Sequence, residues 1–173
     1  MLIERLQKEN LKSELSESNK VLVIYGARQV GKTTLVRETL RNFPGKVLEI
    51  NADTMPFLEA LSSRNLDQLK GLVQGYDLLF IDEAQRVPDI GINLKILHDH
   101  LPQLKIIATG SSSLDLANRV KEPLTGRTWT FQLFPISAEE WAGHTGANNF
   151  EIGTKLEEWL VYGLYPEVLR IEN

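Results

Sequence analysis

The chain has 173 residues, 42% of them hydrophobic, with a formal net charge of −4; this composition fits one folded unit with an ordinary core. The negative charge argues against nucleic-acid binding by this chain alone, and no apolar run approaches the roughly 18 residues of a membrane span. Cysteine is absent, which excludes disulfides and thiol chemistry. Together with the missing membrane span, this predicts a cytoplasmic location without membrane partners.

The first predicted element is an N-terminal helix, indicated by Leu2, Leu6, Leu11 and Leu15 at spacings of four or five residues. The run KVLVIYG (20–26) follows it and predicts a strand that is buried on both faces, as in a parallel sheet.

Four later runs resemble this strand, and helical patterns lie between most of them. The strand predictions are GKVLEIN (45–51), YDLLFID (76–82), LKIIATG (104–110) and TWTFQLF (128–134). The helical patterns are 33–40, then Leu66, Leu69 and Val73, then Ile92, Ile96, Leu97 and Leu101, ended by Pro102. Alternating strands and helices predict an α/β fold with helices on both faces of an open sheet.

The end of the chain predicts a second segment. HTGANNFEIG (144–153) is the most linker-like stretch, and KLEEWLVYGLYPEVLR (155–170) then resumes a helical pattern. We therefore predict a core at 1–145, which includes the N-terminal helix, and a helical segment at 146–173. The amphipathic pattern ends at Asn173 without a partner, which predicts either continuation into a further domain that this chain lacks or pairing with another subunit.

The first strand is followed by a phosphate-binding signature. The chain matches G-x-x-x-x-G-K-[ST] at every fixed position, between a predicted strand and a predicted helix. The two glycines allow turns that aim backbone N–H groups inward, and the helix N-terminus favours anions. The predicted nucleotide-binding residues are Gly26, Ala27, Arg28, Gln29, Val30, Gly31, Lys32, Thr33 and Thr34.

Charge and metal chemistry follow from the same loop. Lys32 supplies a cation for the β- and γ-phosphates, and the Thr33 hydroxyl is a ligand for Mg²⁺. In DLLFIDEAQR (77–86) a buried strand ends in two acids. We assign Asp82 to Mg²⁺ and Glu83 to orienting and deprotonating the attacking water, since a bound cation makes two adjacent carboxylates tolerable.

ATP is the expected nucleotide, with Mg²⁺ as its metal. A guanine-specific GTPase is expected to carry D-x-x-G after the metal-binding strand and N-K-x-D later in the chain. Here Asp82 is followed by Glu-Ala-Gln, and the only Asn-Lys pair, Asn19-Lys20, precedes the first strand. A two-lobed helicase needs more chain than this one provides. A small-molecule kinase usually lacks a second catalytic acid such as Glu83.

Three further residues have two interpretations each. Thr109 and Ser111, at the end of the fourth strand, either reach between the acid pair and the γ-phosphate or cap a helix. Arg127 either stabilises transferred charge, in cis or in trans, or is a surface arginine. Arg28 interacts either with nucleotide or with a nearby acid.

These residues also carry a family resemblance across nearly the whole chain. The motifs YGARQVGKTTL, LLFIDEAQR, ATGSSS, LTGR, FPISAEEW and YGLYPEV, in this order, resemble the AAA+-type ATPases of bacteria and archaea that carry a C-terminal domain of unknown function. The first two motifs are shared by many P-loop ATPases, and the later ones narrow the choice.

The resemblance implies a three-layer P-loop NTPase fold with a mostly parallel five-stranded sheet in the order 5-1-4-3-2. It implies Lys32 and Thr33 as nucleotide residues, Asp82 and Glu83 as the metal and water pair, and Ser111 or Thr109 as the sensor. It also implies that Asn51, at the end of the second strand, couples ligand binding to the catalytic acid. Family members are longer than this chain.

Two functions remain open. In the first, the chain is an Mg²⁺-dependent ATPase that couples hydrolysis to conformation or assembly, in a homo-oligomer whose neighbouring copy supplies Arg127. In the second, it is a nucleotide-gated binding module with slow or no turnover. Glu83 favours the first. A DNA-processing motor is a third reading, but it needs a basic surface that the sequence does not show.

Overall fold

Five parallel strands form one sheet in the computed structural model, which describes residues 2–54, 57–111 and 123–171. The strand order is β2-β3-β4-β1-β5, and every neighbouring pair is parallel. The strands are β1 (Val21–Tyr25), β2 (Val47–Asn51), β3 (Leu78–Asp82), β4 (Lys105–Gly110) and β5 (Thr128–Gln132). The predicted α/β fold and the order 5-1-4-3-2 are confirmed, with the sheet wholly parallel.

Helices precede, connect and follow these strands. In the described ranges they are α1 (Gln7–Glu17), α2 (Lys32–Leu40), α3 (Leu58–Leu61), α4 (Leu66–Val73), α5 (Ile90–His100), α6 (Ala138–Thr145), α7 (Asn149–Tyr162) and α8 (Val168–Ile171), with a 3₁₀ helix at Ala84–Arg86. Helix α6 was not predicted, although its sequence carries a start signal: Ser137 and Glu140 form a reciprocal capping box.

The N-terminal helix is shorter than predicted. It begins at Gln7, and of the four leucines only Leu11 and Leu15 are helical and buried. Leu2 and Leu6 precede it and are exposed. The reason is tertiary: Arg5 bonds to the carbonyls of Val30 and Phe134, which holds the first residues across the loop after β1.

The linker prediction at 144–153 is also wrong in extent. Helix α7 begins at Asn149, because the side chain of Asn148 accepts hydrogen bonds from the N–H groups of Phe150 and Glu151. Gly146, with φ +75°, ends α6. The connection is therefore only 146–148, and the helical pattern after it is interrupted at Gly163.

The core lies on both faces of the sheet, because neighbouring residues of each strand alternate between faces. On one face, Val21 and Val23 pack with Leu79, Ile81 and the inner side chains of α4 and α5. On the other face, Leu22, Ile24, Leu78 and Phe80 pack against α1 and α2. Strands β1 and β3 are thus buried on both sides, as predicted.

A third, smaller cluster joins the two ends of the chain. Ile3, Ile136 and Leu169 pack together, and Ile136 donates a backbone hydrogen bond of 2.9 Å to Leu164. Trp141 of α6 meets Trp159 of α7 edge to face, with ring centroids 5.0 Å apart. The predicted boundary at 145/146 falls between these two helices and stays a prediction. None of the described helices is long and apolar enough to cross a membrane.

Candidate active site

The predicted site residues converge at the carboxyl ends of three adjacent strands. Tyr25, Asp82 and Gly110 are the last residues of β1, β3 and β4, and β4 lies between the other two. Because the strands are parallel, the segments that follow them emerge on the same side of the sheet, at the carboxyl ends of the strands; this side is called the carboxyl edge. The loop 26–31, the acid pair and the segment after β4 therefore share this edge.

The loop after β1 has the backbone conformation that its sequence predicts. Gln29 and Gly31 have positive φ angles of 64° and 97°, and Gly31 is the N-cap of α2. No side chain caps this helix, so its first turn faces the loop and provides an anion-binding end. Only glycine adopts the Gly31 conformation without strain.

Gly26 is required by packing as well as by the motif. A Cβ atom at this position would lie 2.1 Å from the carbonyl oxygen of Leu133, which is far inside contact distance. The N–H of Gly26 also donates to the carbonyl of Gly110 at 3.3 Å. The beginning of the loop is thus fixed between the ends of β4 and β5.

Lys32 closes the loop from inside. Its ammonium group donates to the carbonyl oxygens of Gly26 at 3.0 Å and Ala27 at 2.9 Å, and the residue is 5% exposed. Burial lowers the pKa of Lys32; the charges of Glu83 and Asp82 oppose this effect, and the charge of Arg28 adds to it. A buried cation at the mouth of an amide-lined loop is placed to receive an anion.

Asp82 is held by two hydroxyl groups from different elements. Thr33 Oγ1 lies 3.0 Å and 2.9 Å from its two carboxylate oxygens, and Thr109 Oγ1 donates to Oδ1. Thr109 also accepts a hydrogen bond from the N–H of Glu83 at 3.3 Å. Thr109 therefore contacts both members of the acid pair, which is the location expected for a sensor.

Glu83 is held by a separate set of contacts. Its backbone is left-handed, with φ 55° and ψ 40°, and Ser111 Oγ donates to Oε2 at 3.0 Å. Gln85 Nε2 donates to the same Oε2. Gln85 was not predicted as a site residue, although it stands inside the run DLLFIDEAQR (77–86). Residues 112–113 of the ATGSSS motif lie outside the described residues.

Asn51 and Arg28 lie at the same edge without contacting the acid pair. Asn51 pairs in register with Asp82, but its side-chain oxygen accepts from the N–H of Asp53 at 2.8 Å, which is a local turn. Arg28 is exposed on the loop. The coupling role of Asn51 and the two alternatives for Arg28 stay predictions.

Arg127 lies at the other edge of the sheet. Its carbonyl accepts from the N–H of Val21 at 2.9 Å, at the start of β1, and its guanidinium donates to Asp99 at 2.8 Å. The length of β1, roughly 16 Å at 3.3 Å per residue, separates it from the phosphate loop. This geometry contradicts a role in cis. A role in trans stays a prediction.

A cavity of about 300 Å³ adjoins the phosphate loop, and neither Asp82 nor Glu83 lines it. Val30, Gly31 and Thr34 line it from the loop and α2, and Arg5 lines it from the N-terminal segment. Its other lining residues are Leu2, Ile3, Glu4, Lys8, Leu35, Glu38, Ile136 and Pro166. This volume is at the lower end for ligand pockets, about 300–1,000 Å³, and the lining is mostly apolar.

The oxygen ligands present fit a hard cation that shares its coordination with a phosphate. In the described residues no three His, Cys, Asp or Glu side chains cluster as an all-protein metal site. Mg²⁺ in phosphate-transfer sites commonly takes one or two protein oxygens and completes its shell with water and phosphate. The neighbouring oxygens of Thr33 and Asp82 fit that pattern.

Comparison with known proteins identifies the family. A model of the AAA domain matches residues 18–142. The chain belongs to the AAA domain family. The matched region contains the phosphate loop, the acid pair and both threonines that contact Asp82, and it ends inside α6. ATP binding through a P-loop is the property that this membership supports.

Curated relatives of this AAA domain are longer proteins. Uncharacterized protein Rv2008c of Mycobacterium tuberculosis is 30% identical over all of this chain, which spans 36% of that protein. Uncharacterized protein MJ1544 of Methanocaldococcus jannaschii is 28% identical over 90% of this chain, which corresponds to 37% of its length. The chain thus spans a little over a third of these relatives.

Solved structures share the fold of this AAA domain. The Walker-type ATPase PABY2304 of Pyrococcus abyssi aligns with a TM-score of 0.54 at 20% identity, over 98% of this chain and 71% of that one. A Pif1 helicase from a structure of DNA unwinding aligns with a TM-score of 0.53 at 11% identity, over 79% of this chain and 45% of the helicase chain. At these identities the likeness concerns the fold alone.

Proposed function

We propose that this AAA domain is an Mg²⁺-dependent ATPase that hydrolyses ATP to ADP and phosphate with Glu83 as the general base. The observation that carries the proposal is the hydrogen-bonded row formed by Thr33, Asp82 and Thr109. The N–H of Glu83 bonds to Thr109 at the end of this row, and Lys32 is buried against the phosphate loop. Lys32 is a suitable partner for a phosphate, Thr33 and Asp82 for a metal ion, and Glu83 for a water.

Binding begins with the loop residues Gly26, Ala27, Arg28, Gln29, Val30 and Gly31. Their backbone, the first turn of α2 and Lys32 receive the phosphates. Lys32 exchanges its two carbonyl partners for phosphate oxygens, which relieves the cost of burying an ammonium group beside neutral acceptors. The adjoining cavity, which Thr34 helps to line, accepts the base and sugar.

Thr33 and Asp82 hold the metal in this proposal, and Thr109 keeps the Asp82 carboxylate oriented. When bound, Mg²⁺ neutralises phosphate charge as the γ-phosphoryl group is transferred. Glu83 orients a water and accepts its proton while the water oxygen bonds to the γ-phosphorus and the bond to the β–γ bridging oxygen breaks. The products are ADP and inorganic phosphate, and the proton passes from Glu83 to solvent.

Assembly and partners form part of the same proposal. Arg127 is too far from its own loop but sits beside Asp99 at an exposed edge, so we assign it to the site of a neighbouring copy in a homo-oligomer. The nucleotide state then couples to assembly. The proposal includes a cytoplasmic location and, because the relatives are longer than this chain, a further domain in the whole protein. With a net charge of −4, it includes no nucleic-acid partner for this chain alone.

A second function is favoured by one observation. In a single copy, Arg127, the arginine assigned to charge stabilisation, lies at the opposite end of β1 from the phosphate loop. A single copy therefore behaves as a nucleotide-gated switch with slow turnover, in which ATP orders an interaction surface. The two functions differ in whether phosphate release requires Glu83 and rises with assembly.

The deciding experiment measures steady-state phosphate release with Mg·ATP over a range of protein concentrations, for the parent and Glu83→Gln, together with ATP affinity. We expect Glu83→Gln to keep its affinity and lose at least about 100-fold in rate, the scale of general-base catalysis. Tight binding with negligible release by the parent at every concentration would establish the switch. Equal rates for both proteins would show that another group acts as the base.

Arg127→Ala tests the arrangement across copies. We expect it to reduce the rate mainly at high protein concentration, where neighbouring copies complete the site. Arg37→Ala is the matched control, because Arg37 is also exposed and also pairs with an acid, Glu49. An unchanged rate for Arg127→Ala at every concentration would remove Arg127 from the mechanism.

A further inference from the structure

Gln85 makes two polar contacts inside the site. Its Nε2 donates to Glu83 Oε2 and, at 3.0 Å, to Ser111 Oγ. Ser111 Oγ in turn donates to the same Glu83 Oε2 at 3.0 Å. Every hydrogen bond that the described side chains make to this carboxylate reaches Oε2. The contacts therefore anchor one oxygen of Glu83 and leave the other for a different partner.

The other end of the Gln85 amide shows what its orientation costs. Gln85 Oε1 is buried, and no donor among the described residues reaches it. Burying an unpaired carbonyl oxygen is unfavourable, whereas a hydrogen bond to a carboxylate is among the stronger ones in proteins. The amide thus keeps Nε2 on Glu83 even though its own oxygen is unsatisfied.

The backbone fixes this arrangement. Glu83 is left-handed, and the 3₁₀ helix that follows brings Gln85 back toward it. The N–H of Arg86 donates to the carbonyl of Glu83 at 2.9 Å. Ala84 and Val87, on either side of Gln85, are completely buried, so the helix is anchored in the core. Gln85 therefore approaches Glu83 from a rigid support.

We propose that Gln85 is a positioning residue for the general base. Together with Ser111 it anchors Oε2 of Glu83, so that Oε1 is presented to the attacking water. This inference rests on the proposed ATPase function and goes beyond it, because it assigns the orientation of the base to a residue outside the phosphate loop, the acid pair and the sensor threonine. In this role Gln85 acts only through Glu83 and contributes nothing to nucleotide binding.

The test compares Gln85→Met, which keeps the side-chain length but removes the amide, with Gln85→Glu, which keeps the size but removes the donor. Gln103→Met is the control, since Gln103 is exposed at the opposite edge of the sheet. For both Gln85 variants we expect kcat to fall about tenfold or more with ATP affinity within about twofold, the pattern of a residue that acts on the chemical step. The control keeps the parental values.

A double substitution separates positioning from general structural damage. In the Glu83→Gln background, single-turnover hydrolysis should be no slower when Gln85→Met is added, because the group that Gln85 positions has lost its function. A further multiplicative loss in the double variant overturns the inference. So does a parental kcat in both Gln85 variants.

Failure of the inference is distinct from failure of the proposed function. If the parent hydrolyses ATP in a Glu83-dependent manner while both Gln85 variants keep its rate, the inference alone is wrong. If turnover by the parent does not depend on Glu83, the proposed base is wrong and the inference is overturned with it.

Discussion

The hydroxyl of Thr33 lies 2.9 Å from a carboxylate oxygen of Asp82, although the two residues are 49 positions apart in the chain. Thr33 stands in the first turn of α2 and Asp82 ends β3, so the contact joins two elements across the neighbouring strand. A hydroxyl and a carboxylate in contact supply two oxygen ligands of the kind that Mg²⁺ takes.

The first prediction concerns this pair. Thr33→Val removes the hydroxyl while keeping the shape, and we expect the Mg²⁺ concentration for half-maximal ATP binding to rise about tenfold or more, as for other changes at metal sites. Thr33→Ser restores the hydroxyl and should stay near the parent. The measurement is a Mg²⁺ titration with a fluorescent ATP analogue. An unchanged titration for Thr33→Val would remove Thr33 from the metal site.

The second prediction uses pH. Burial lowers the pKa of Lys32 below its usual 10.5, so the protonated amine destabilises the ligand-free fold. This cost in free energy of unfolding is fully present below the lowered pKa of the folded chain. Between that pKa and 10.5 the unfolded chain holds more protons than the folded one, so stability rises with pH and the cost disappears. Lys32→Met should therefore be more stable than the parent at pH 7.

The same comparison at higher pH provides the check. Thermal unfolding of both proteins without nucleotide should show the stability advantage of Lys32→Met shrinking as the pH approaches 10.5, the usual value. Lys70→Met, at an exposed lysine of α4, should show no such trend. A constant difference between Lys32→Met and the parent across the range would contradict the buried-charge argument. Adding nucleotide should not raise the unfolding temperature of Lys32→Met, because the variant lacks the cation that binds the phosphates.

The third prediction separates the structural role of Gly26 from its role in the motif. Gly26→Ala forces a Cβ against the carbonyl of Leu133, and we expect it to lower the free energy of unfolding by about 1–3 kcal/mol or more. Gly153→Ala is the matched control: this glycine is inside α7 with open space around it. It should raise stability by about 0.5–1 kcal/mol. Chemical denaturation without nucleotide measures both.

The fourth prediction concerns the buried pair of Arg5 and Glu140, which are 3.1 Å apart with side chains 9% and 6% exposed. Arg5→Met leaves the Glu140 charge and two carbonyl oxygens without this donor, and we expect a loss of about 3–5 kcal/mol. The double variant with Glu140→Met should lose less than the sum of the two single variants.

An exposed pair is the control for this prediction. The side chains of Arg37 and Glu49 are 63% and 37% exposed. Breaking their ion pair with Arg37→Met should lower the free energy of unfolding by only about 0–1 kcal/mol. Denaturant titration of all four variants gives the values. If Arg5→Met costs no more than Arg37→Met, Arg5 does not anchor the N-terminal segment.

Local sequence was sufficient for the strands and for most helices. Strand β1 is apolar from Val21 to Tyr25, and β3 is apolar from Leu78 to Ile81, because both strands are covered on both faces; burial is therefore reflected in their composition. The phosphate loop was readable for a related reason: positive φ at Gly31 and close approach at Gly26 leave little choice of residue there. The beginning of α6 carried an equally local signal in Ser137 and Glu140, which the prediction did not use.

The misplaced boundaries have a long-range cause. Leu2 and Leu6 share the spacing of the helical leucines, yet they lie outside α1 because Arg5 is drawn to carbonyls near positions 30 and 134. Spacing along the chain contains no information about those partners.

What the sequence determined by itself is the fold class and the chemical inventory of the site: a loop for phosphate, a lysine, a hydroxyl and two acids. Only the tertiary structure decided their partners. It brought Thr109 to Asp82 and Gln85 to Glu83, and it placed Arg127 at the opposite edge, beside Asp99. The physical reason is that side-chain hydrogen bonds depend on strand order and register, which bring together residues that are far apart in the chain.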